Sequence, residues 1–372
     1  MESQLNAESI DYSIWANLYS SVLYNLGFYK NALNFVTKAI NNFQTIYSED
    51  TLNQYLLNLQ LNQLSIKSYL STNFNETRKE FLKFIALASS LKDKRLLVKA
   101  NYEYASFLIS AGQRRASLPY SKIAYNIQKE LTPFDYNIYA ITSQTLMSSN
   151  DSNPNNFLTR KREERFNKSV LLKNIENEDY YSAAFIYLNS SVSQLNQGNN
   201  SEALHSINKA LDLLQQHGYD DKLLALSYLK KWGIEEAIGR NITSKYYLNK
   251  AKDIMVGMYG TGSYELSKFY QGLIYDLITA KNYLEAKKYV NINNQIISGL
   301  TQGNANIFTL NTAFLNVCAS VNDNFTDTLI QYTNFRKICE SVLGHESEIL
   351  FEMNLFLKSN NLSKVYKFYE NK

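Results

Sequence analysis

The chain has few of the residues on which covalent or metal-based chemistry depends. Its 372 residues include two cysteines and three histidines. Cys318 and Cys339 do not make a disulfide framework or a metal-ligand set, and the histidines lack the spacing of a zinc motif. We therefore expect two buried free thiols and no cofactor.

Residues that break helices are also scarce. Three prolines and 13 glycines suit a chain that is almost entirely helical, and a hydrophobic content of 45% is enough for a continuous core. No run approaches the roughly 18 apolar residues of a transmembrane helix. The opening residues MESQLNAESIDYS lack the basic and apolar segments of a signal peptide. We expect no membrane span and an intracellular, cytoplasmic protein, or a nuclear one in a eukaryotic cell.

Neither sign of charge dominates, and no catalytic motif is present. The net charge is +4, from 38 basic and 34 acidic residues, so the composition does not indicate nucleic acid or a membrane as partner. Gly260 and Gly262 could suggest a phosphate-binding loop, but no strand precedes them and no Gly-Lys-Ser/Thr follows. The two glycines instead predict a turn. We expect a protein that is not an enzyme.

The stretch from Tyr264 to Ile297 carries the clearest structural signal. Its apolar residues recur at the spacing of an amphipathic helix on both sides of the turn Ala280-Lys281-Asn282, with Tyr283 opening the second helix. A helical hairpin of this kind cannot bury both faces alone. Neighbouring hairpins are therefore predicted.

The hairpin pattern repeats along the chain. The segment NKALDLL at 208–214 returns as NKAKDIM at 249–255, a shift of 41 residues. Asn241, Tyr283 and Phe325 then occupy one position at successive spacings of 42 residues. A fixed period of this size predicts stacked two-helix units.

Within the units, a turn glycine is followed by an aromatic residue and by small residues across the second helix. These positions are Gly27, Tyr29, Ala32, Val36 and Ala39 in the first unit, Ala105, Leu108, Gly112, Ala116 and Tyr120 in the third, and Gly198, Ala203, Ile207 and Ala210 in the fifth. The pattern resembles the tetratricopeptide repeat (TPR) superfamily over most of the chain. The units exceed the usual length of roughly 34 residues, and the closing proline is absent. The resemblance implies an all-α, right-handed superhelical solenoid of about eight to nine units, a quasi-linear body.

One irregular segment interrupts the array. Residues 148–156, SSNDSNPNN, are rich in turn-forming side chains. We predict N-terminal TPR-like repeats over 1–148, an insertion and linker helix over 149–180, and C-terminal repeats over 181–372, with one continuous solenoid as the alternative.

The insertion is followed by a basic stretch containing Arg160, Lys161, Arg162 and Arg165. One interpretation is a contact with phosphate or an acidic peptide. The other is a solvated helix face on which Glu163 and Glu164 pair with the arginines. The second interpretation is favoured.

The TPR resemblance also implies a groove lined by the first helix of each unit. The inward positions are Asn17 and Tyr24 in unit one, Lys99 and Tyr102 in unit three, and Lys268, Gln271 and Tyr275 in unit seven. Tyrosine rings offer rigid contact area and amides bond a peptide backbone, so the set suits an extended peptide. For any single one of the 29 tyrosines, core packing is the simpler interpretation.

These features predict a non-catalytic scaffold, adaptor or complex subunit that binds a segment of a protein or an extended peptide in the concave groove. The alternative is a cytoplasmic peptide-sensing regulator resembling bacterial TPR quorum-sensing receptors. Those receptors usually carry an N-terminal DNA-binding or effector domain, whereas the repeats here begin by Ile14.

Overall fold

The computed structural model describes residues 9–47, 53–131, 168–345 and 347–370. Within these ranges the regular structure is helical and no strand occurs, which confirms the predicted all-α fold of stacked helix pairs. The helices are α1 Ile10–Asn25, α2 Tyr29–Ile46, α3 Gln54–Leu70, α4 Phe74–Ser90, α5 Lys94–Ser110, α6 Arg114–Gln128, α7 (168–176), α8 Tyr180–Asn196, α9 Asn200–Gln216, α10 Lys222–Ala237, α11 Asn241–Tyr259, α12 Tyr264–Thr279, α13 Tyr283–Thr301, α14 Ile307–Ala319, α15 Phe325–Leu343, α16 Glu348–Ser359 and α17 Ser363–Glu370.

The predicted hairpin is present with its predicted turn. Lys281 adopts a left-handed φ of 59°, and the amide of Asn282 donates to the carbonyl of Leu277 at 2.8 Å. This backbone pattern closes a helix C-terminus. The repeat register is also confirmed, because Asn241, Tyr283 and Phe325 each begin a helix.

Asparagine, aspartate and serine side chains begin many of the helices. The Asn306 side chain accepts from the amides of Phe308 and Thr309, both at 3.0 Å, and the Thr309 hydroxyl accepts from the Asn306 amide at 2.8 Å. This reciprocal cap satisfies amides that have no partner within the helix. Short polar side chains therefore fix where many of these helices start.

The contacts divide the chain into two compact units. The first contains residues 1–120, 262–274 and 283–372, and the second contains 121–261 and 275–282. The predicted partition at 148 and 181 stays a prediction, since residue 148 lies outside the described residues. The basic stretch at 160–165 lies outside them as well.

The second unit stacks helices that follow one another in the chain. Helix α8 packs on α9, α9 on α10, and α10 on α11. Ala183, Ala203 and Ala210 are fully buried and let the helices approach closely, and Trp232 is also buried. Each helix here is stabilised mainly by its sequence neighbours.

The first unit brings distant parts of the chain together. Helix α3 contacts α14, and α4 contacts α15. The Asn311 side chain donates to the carbonyl of Ser110 at 3.0 Å, and the amide of Arg115 donates to both carboxylate oxygens of Glu348 at 2.9 and 3.0 Å. The quasi-linear expectation, in which repeats contact only their neighbours, is therefore wrong for this unit.

Gly112 marks one of these close approaches. Its φ is +70°, and a β-carbon added there would lie 2.7 Å from Cδ1 and 2.9 Å from Cβ of Ile349. Gly303, in the same unit, has a similar φ of +80° but open space around the added atom. Comparing the two glycines therefore distinguishes the cost of a side chain in a left-handed backbone from the cost of a clash with Ile349.

We expect Gly112→Ala to destabilise the first unit more than Gly303→Ala. Both substitutions strain a left-handed backbone, at a cost of about 1–2 kcal/mol. Gly112→Ala adds overpacking of about 1–3 kcal/mol. Urea unfolding of both variants checks this, and equal losses would mean that α16 does not pack against Gly112.

Candidate functional site

Two of the predicted groove residues lie in a row of polar side chains on α1, α3 and α5. The Asn62 amide nitrogen donates to Asn17 Oδ1 at 3.2 Å, and Lys99 Nζ donates to Asn62 Oδ1 at 2.9 Å. All three side chains are half-buried. We call Asn17, Asn62 and Lys99 the polar ladder, because each helix contributes one rung.

Glu103 lies one helical turn beyond Lys99 on α5. Burial raises the pKa of its carboxyl group, and the Ser65 hydroxyl and the Lys99 ammonium offset this only in part. The pKa of Tyr24 is also raised, first by burial and then by Tyr69 and Glu103. The predicted groove residue Tyr24 therefore belongs to a partly desolvated polar cluster next to the ladder.

A second cluster surrounds the predicted groove residue Lys268. Its Nζ donates to the Tyr29 hydroxyl at 2.6 Å and to Glu265 Oε1 at 2.9 Å. The Tyr29 hydroxyl in turn donates to the same Glu265 oxygen at 2.9 Å. Tyr29 of α2 thus forms hydrogen bonds with Glu265 and Lys268 of α12, although the two helices are far apart in the sequence.

Aromatic rings enclose this polar group. Lys268 Nζ lies 4.6 Å from the ring centroid of Tyr69, 5.2 Å from that of Tyr29 and 5.8 Å from that of Phe308. Tyr29 stacks on Tyr69 with centroids 4.7 Å apart. Cations are attracted to ring faces at such distances. We call Tyr29, Tyr69, Glu265, Lys268 and Phe308 the Lys268 clasp.

The clasp holds a fixed ion pair. The Glu265 side chain is 3% exposed and that of Lys268 is 32% exposed. Burial alone would lower the pKa of Lys268, but Tyr69, Tyr29 and Glu265 outweigh it and the pKa is raised. Burial raises the pKa of Tyr29, so its phenol keeps the proton that it donates. Near neutral pH the clasp therefore contains the Lys268 ammonium, paired with Glu265, and a neutral Tyr29 phenol.

The remaining predicted residues have other surroundings. Gln271 donates to Ser267 of its own helix at 3.3 Å, and Tyr102 is half-buried. Tyr275 is 55% exposed and belongs to the second compact unit. Whether any of these residues contacts a ligand stays a prediction.

The sequence prediction missed Asn62, Tyr69, Glu265 and Phe308 as members of these clusters. Asn62 lies 45 residues after Asn17 and 37 residues before Lys99, so a fixed period does not align the three. Tyr29 and Glu265 are separated by 236 residues. A single sequence gives no signal for a contact over that distance.

Groups that could support catalysis are few in the described part of the chain. No set of three His, Cys, Asp or Glu side chains there could hold a metal ion. Cys318 and Cys339 are buried free thiols, as predicted. Burial raises the pKa of both, which disfavours the nucleophilic thiolate.

No family model matches the chain, and no curated protein is significantly similar to it in sequence. The resemblance to TPR proteins therefore stays a prediction that rests on the repeat positions. The geometry establishes an all-α fold of stacked helix pairs. Within the described residues, no helix is both long enough and apolar enough to cross a membrane.

We expect Lys268→Met to destabilise the first unit by about 2 kcal/mol or more, because it leaves Glu265 buried without its cation. The double variant Lys268→Met/Glu265→Gln removes both charges and should recover much of that loss. Denaturant unfolding of wild type, both single variants and the double variant measures the coupling. Additive losses would contradict a buried ion pair.

We expect Glu103→Gln to become progressively more stable than wild type as pH rises. The folded-state pKa of Glu103 is raised, so the stability that protonated Glu103 contributes is complete below the unfolded value of about 4.3. It is lost as pH rises through the folded-state pKa. Unfolding free energies of both proteins between pH 4 and pH 8 check the sign, and a pH-independent difference would contradict a desolvated carboxyl group.

Proposed function

We propose that this protein is a non-catalytic interaction scaffold, or a subunit of a larger complex, that binds an extended segment of a partner protein. The observation that carries the proposal is the polar ladder of Asn17, Asn62 and Lys99. It offers amide and ammonium groups from three helices on one continuous, half-exposed surface.

The amide groups of the ladder suit a peptide backbone. Each side-chain amide has two donors and an acceptor oxygen with two lone pairs, so a bond within the ladder does not exhaust its capacity.

A stripe of apolar side chains on α1 supports assembly with another protein. Ile14, Leu18 and Val22 recur one helical turn apart and are 42%, 61% and 52% exposed. Contiguous exposed apolar surface of this kind often marks a site where proteins interact. An apolar stripe on α1 fits a protein that works as part of a complex.

One feature supports a cytoplasmic location, and another supports a protein partner, as parts of the proposal. Cys318 and Cys339 are free thiols, and free thiols are usual where the environment is reducing. The nearly balanced charge also fits a protein partner better than a nucleic acid.

The proposal is tested by purifying the tagged protein from the cell that makes it and identifying what stays bound by mass spectrometry. We expect a stoichiometric protein partner with wild type and with Lys79→Ala, whose side chain is exposed on α4. The ladder variant Asn62→Ala/Lys99→Ala should retain several-fold less of the same partner.

An unaccompanied monomer would contradict the subunit proposal, and equal recovery with the ladder variant would contradict the proposed surface. Thermal stabilisation of that monomer by short peptides would instead favour a peptide-sensing regulator.

A further inference from the structure

A cleft opens in the first unit between α13, α14 and α15, with a volume of about 290 Å³. Each of the three helices contributes side chains spaced three and four residues apart, so the lining is one face of each helix. Pockets for drug-sized ligands begin at about 300 Å³. The cleft is therefore suited to one long side chain rather than to a large cofactor.

The charges that line the cleft favour a cation. Lys287 forms an ion pair with Asp323, and Asp327 adds a second carboxylate. Asp327 accepts from the Asn324 side chain at 2.8 Å, which fixes the carboxylate at the first turn of α15. Once Lys287 and Asp323 are paired, one negative charge is left over.

The cleft also has an apolar part. Val290 and Ala319 are buried where they line it, and Ile330 is 56% exposed at its edge. A long side chain with a methylene stem could cover this apolar surface while its charged end reaches Asp327. A metal ion would leave the apolar part uncovered.

Amide side chains lie beside the carboxylate. Asn291 is exposed and Gln331 is half-buried, and both line the cleft. Such amides bond a peptide backbone. A free amino acid would also bring an α-carboxylate. Lys287 is already paired with Asp323, so this carboxylate would have no free cation in the cleft. A peptide, which lacks the α-carboxylate, therefore fits better than a free amino acid.

We propose that this cleft binds an arginine side chain carried by an extended peptide segment. The guanidinium group bonds the Asp327 carboxylate, for which its planar arrangement of N–H donors is suited. The arginine stem covers Ile330 and Val290, and the peptide backbone bonds Asn291 and Gln331. The site is on helices other than those of the polar ladder and does not depend on the proposed use of the ladder.

The test uses the full chain with labelled isoleucine, valine and alanine methyl groups, observed by NMR. The probe is the capped peptide acetyl-Gly-Arg-Gly-amide. Matched probes are the uncharged citrulline peptide, the lysine peptide and free L-arginine. We expect saturable shifts of the Ile330 and Ala319 methyl signals with the arginine peptide, weaker binding of the other three probes, and loss of affinity with added salt.

Asp327→Asn should lower the affinity for the arginine peptide about tenfold. This substitution keeps the size of the side chain, and it keeps an oxygen that can accept the hydrogen bond from the Asn324 side chain. Asn291→Ala, at an exposed position, should weaken binding less. Asp253→Asn, an exposed carboxylate on α11, is the control and should bind like wild type.

Absence of methyl shifts would overturn the proposal. Equal binding of the citrulline peptide, or full affinity in a folded Asp327→Asn protein, would overturn the charge recognition. Binding of free L-arginine as tight as that of the capped peptide would overturn the peptide as the source of the guanidinium group. Because no cellular partner is needed, these outcomes are independent of the purification experiment.

Discussion

The ion pair between buried Glu265 and half-buried Lys268 is a constraint on which the packing of the first unit depends. Removing a carboxylate from water is costly unless a cation and hydrogen bonds replace the solvent. Glu265 obtains the cation from its own helix and the second bond from the Tyr29 hydroxyl on α2. Glu265 therefore has both of these partners only when α2 of the first helix pair is packed against α12.

That requirement explains why the first unit is not a simple row of repeats. In a quasi-linear array each helix pair is stabilised by its neighbours. Here Tyr29 and Tyr69, from the first two pairs, stack around the ammonium of Lys268 with Phe308 of α14. The contact of Gly112 with Ile349 adds a second point at which early and late helices meet. Early and late helices of the first unit thus pack into one compact body.

The clasp also connects to the proposed binding surface. Tyr24 on α1 packs edge-on against Tyr69 on α3, with ring centroids 5.7 Å apart, and these two helices carry Asn17 and Asn62 of the ladder. A ladder held by such contacts is preorganised, which reduces the entropy lost when a peptide binds. These contacts restrict how α1 and α3 can move relative to each other.

The sequence predicted what depends on local spacing. Apolar periodicity located the hairpin of α12 and α13 and its turn at Lys281, because helix formation and capping are decided within a few residues. The TPR resemblance implied an inward position for Lys268. It could not supply the partners, since Tyr29 lies 239 residues away and uneven spacing hid Asn62. Contacts between distant repeats depend on the curvature of the helix stack. This curvature results from many small differences in how neighbouring helices pack.

The central claim, that early and late helices of the first unit form one cooperative body, is tested most directly by native-state hydrogen exchange in increasing denaturant. We expect the core amides of α2 and of residues 264–274 to open in the same transition, with the same free energy and denaturant dependence. Opening of α1 and α2 at a lower free energy, while residues 264–274 stay protected, would contradict the claim. The protein would then behave as an array of independent neighbours.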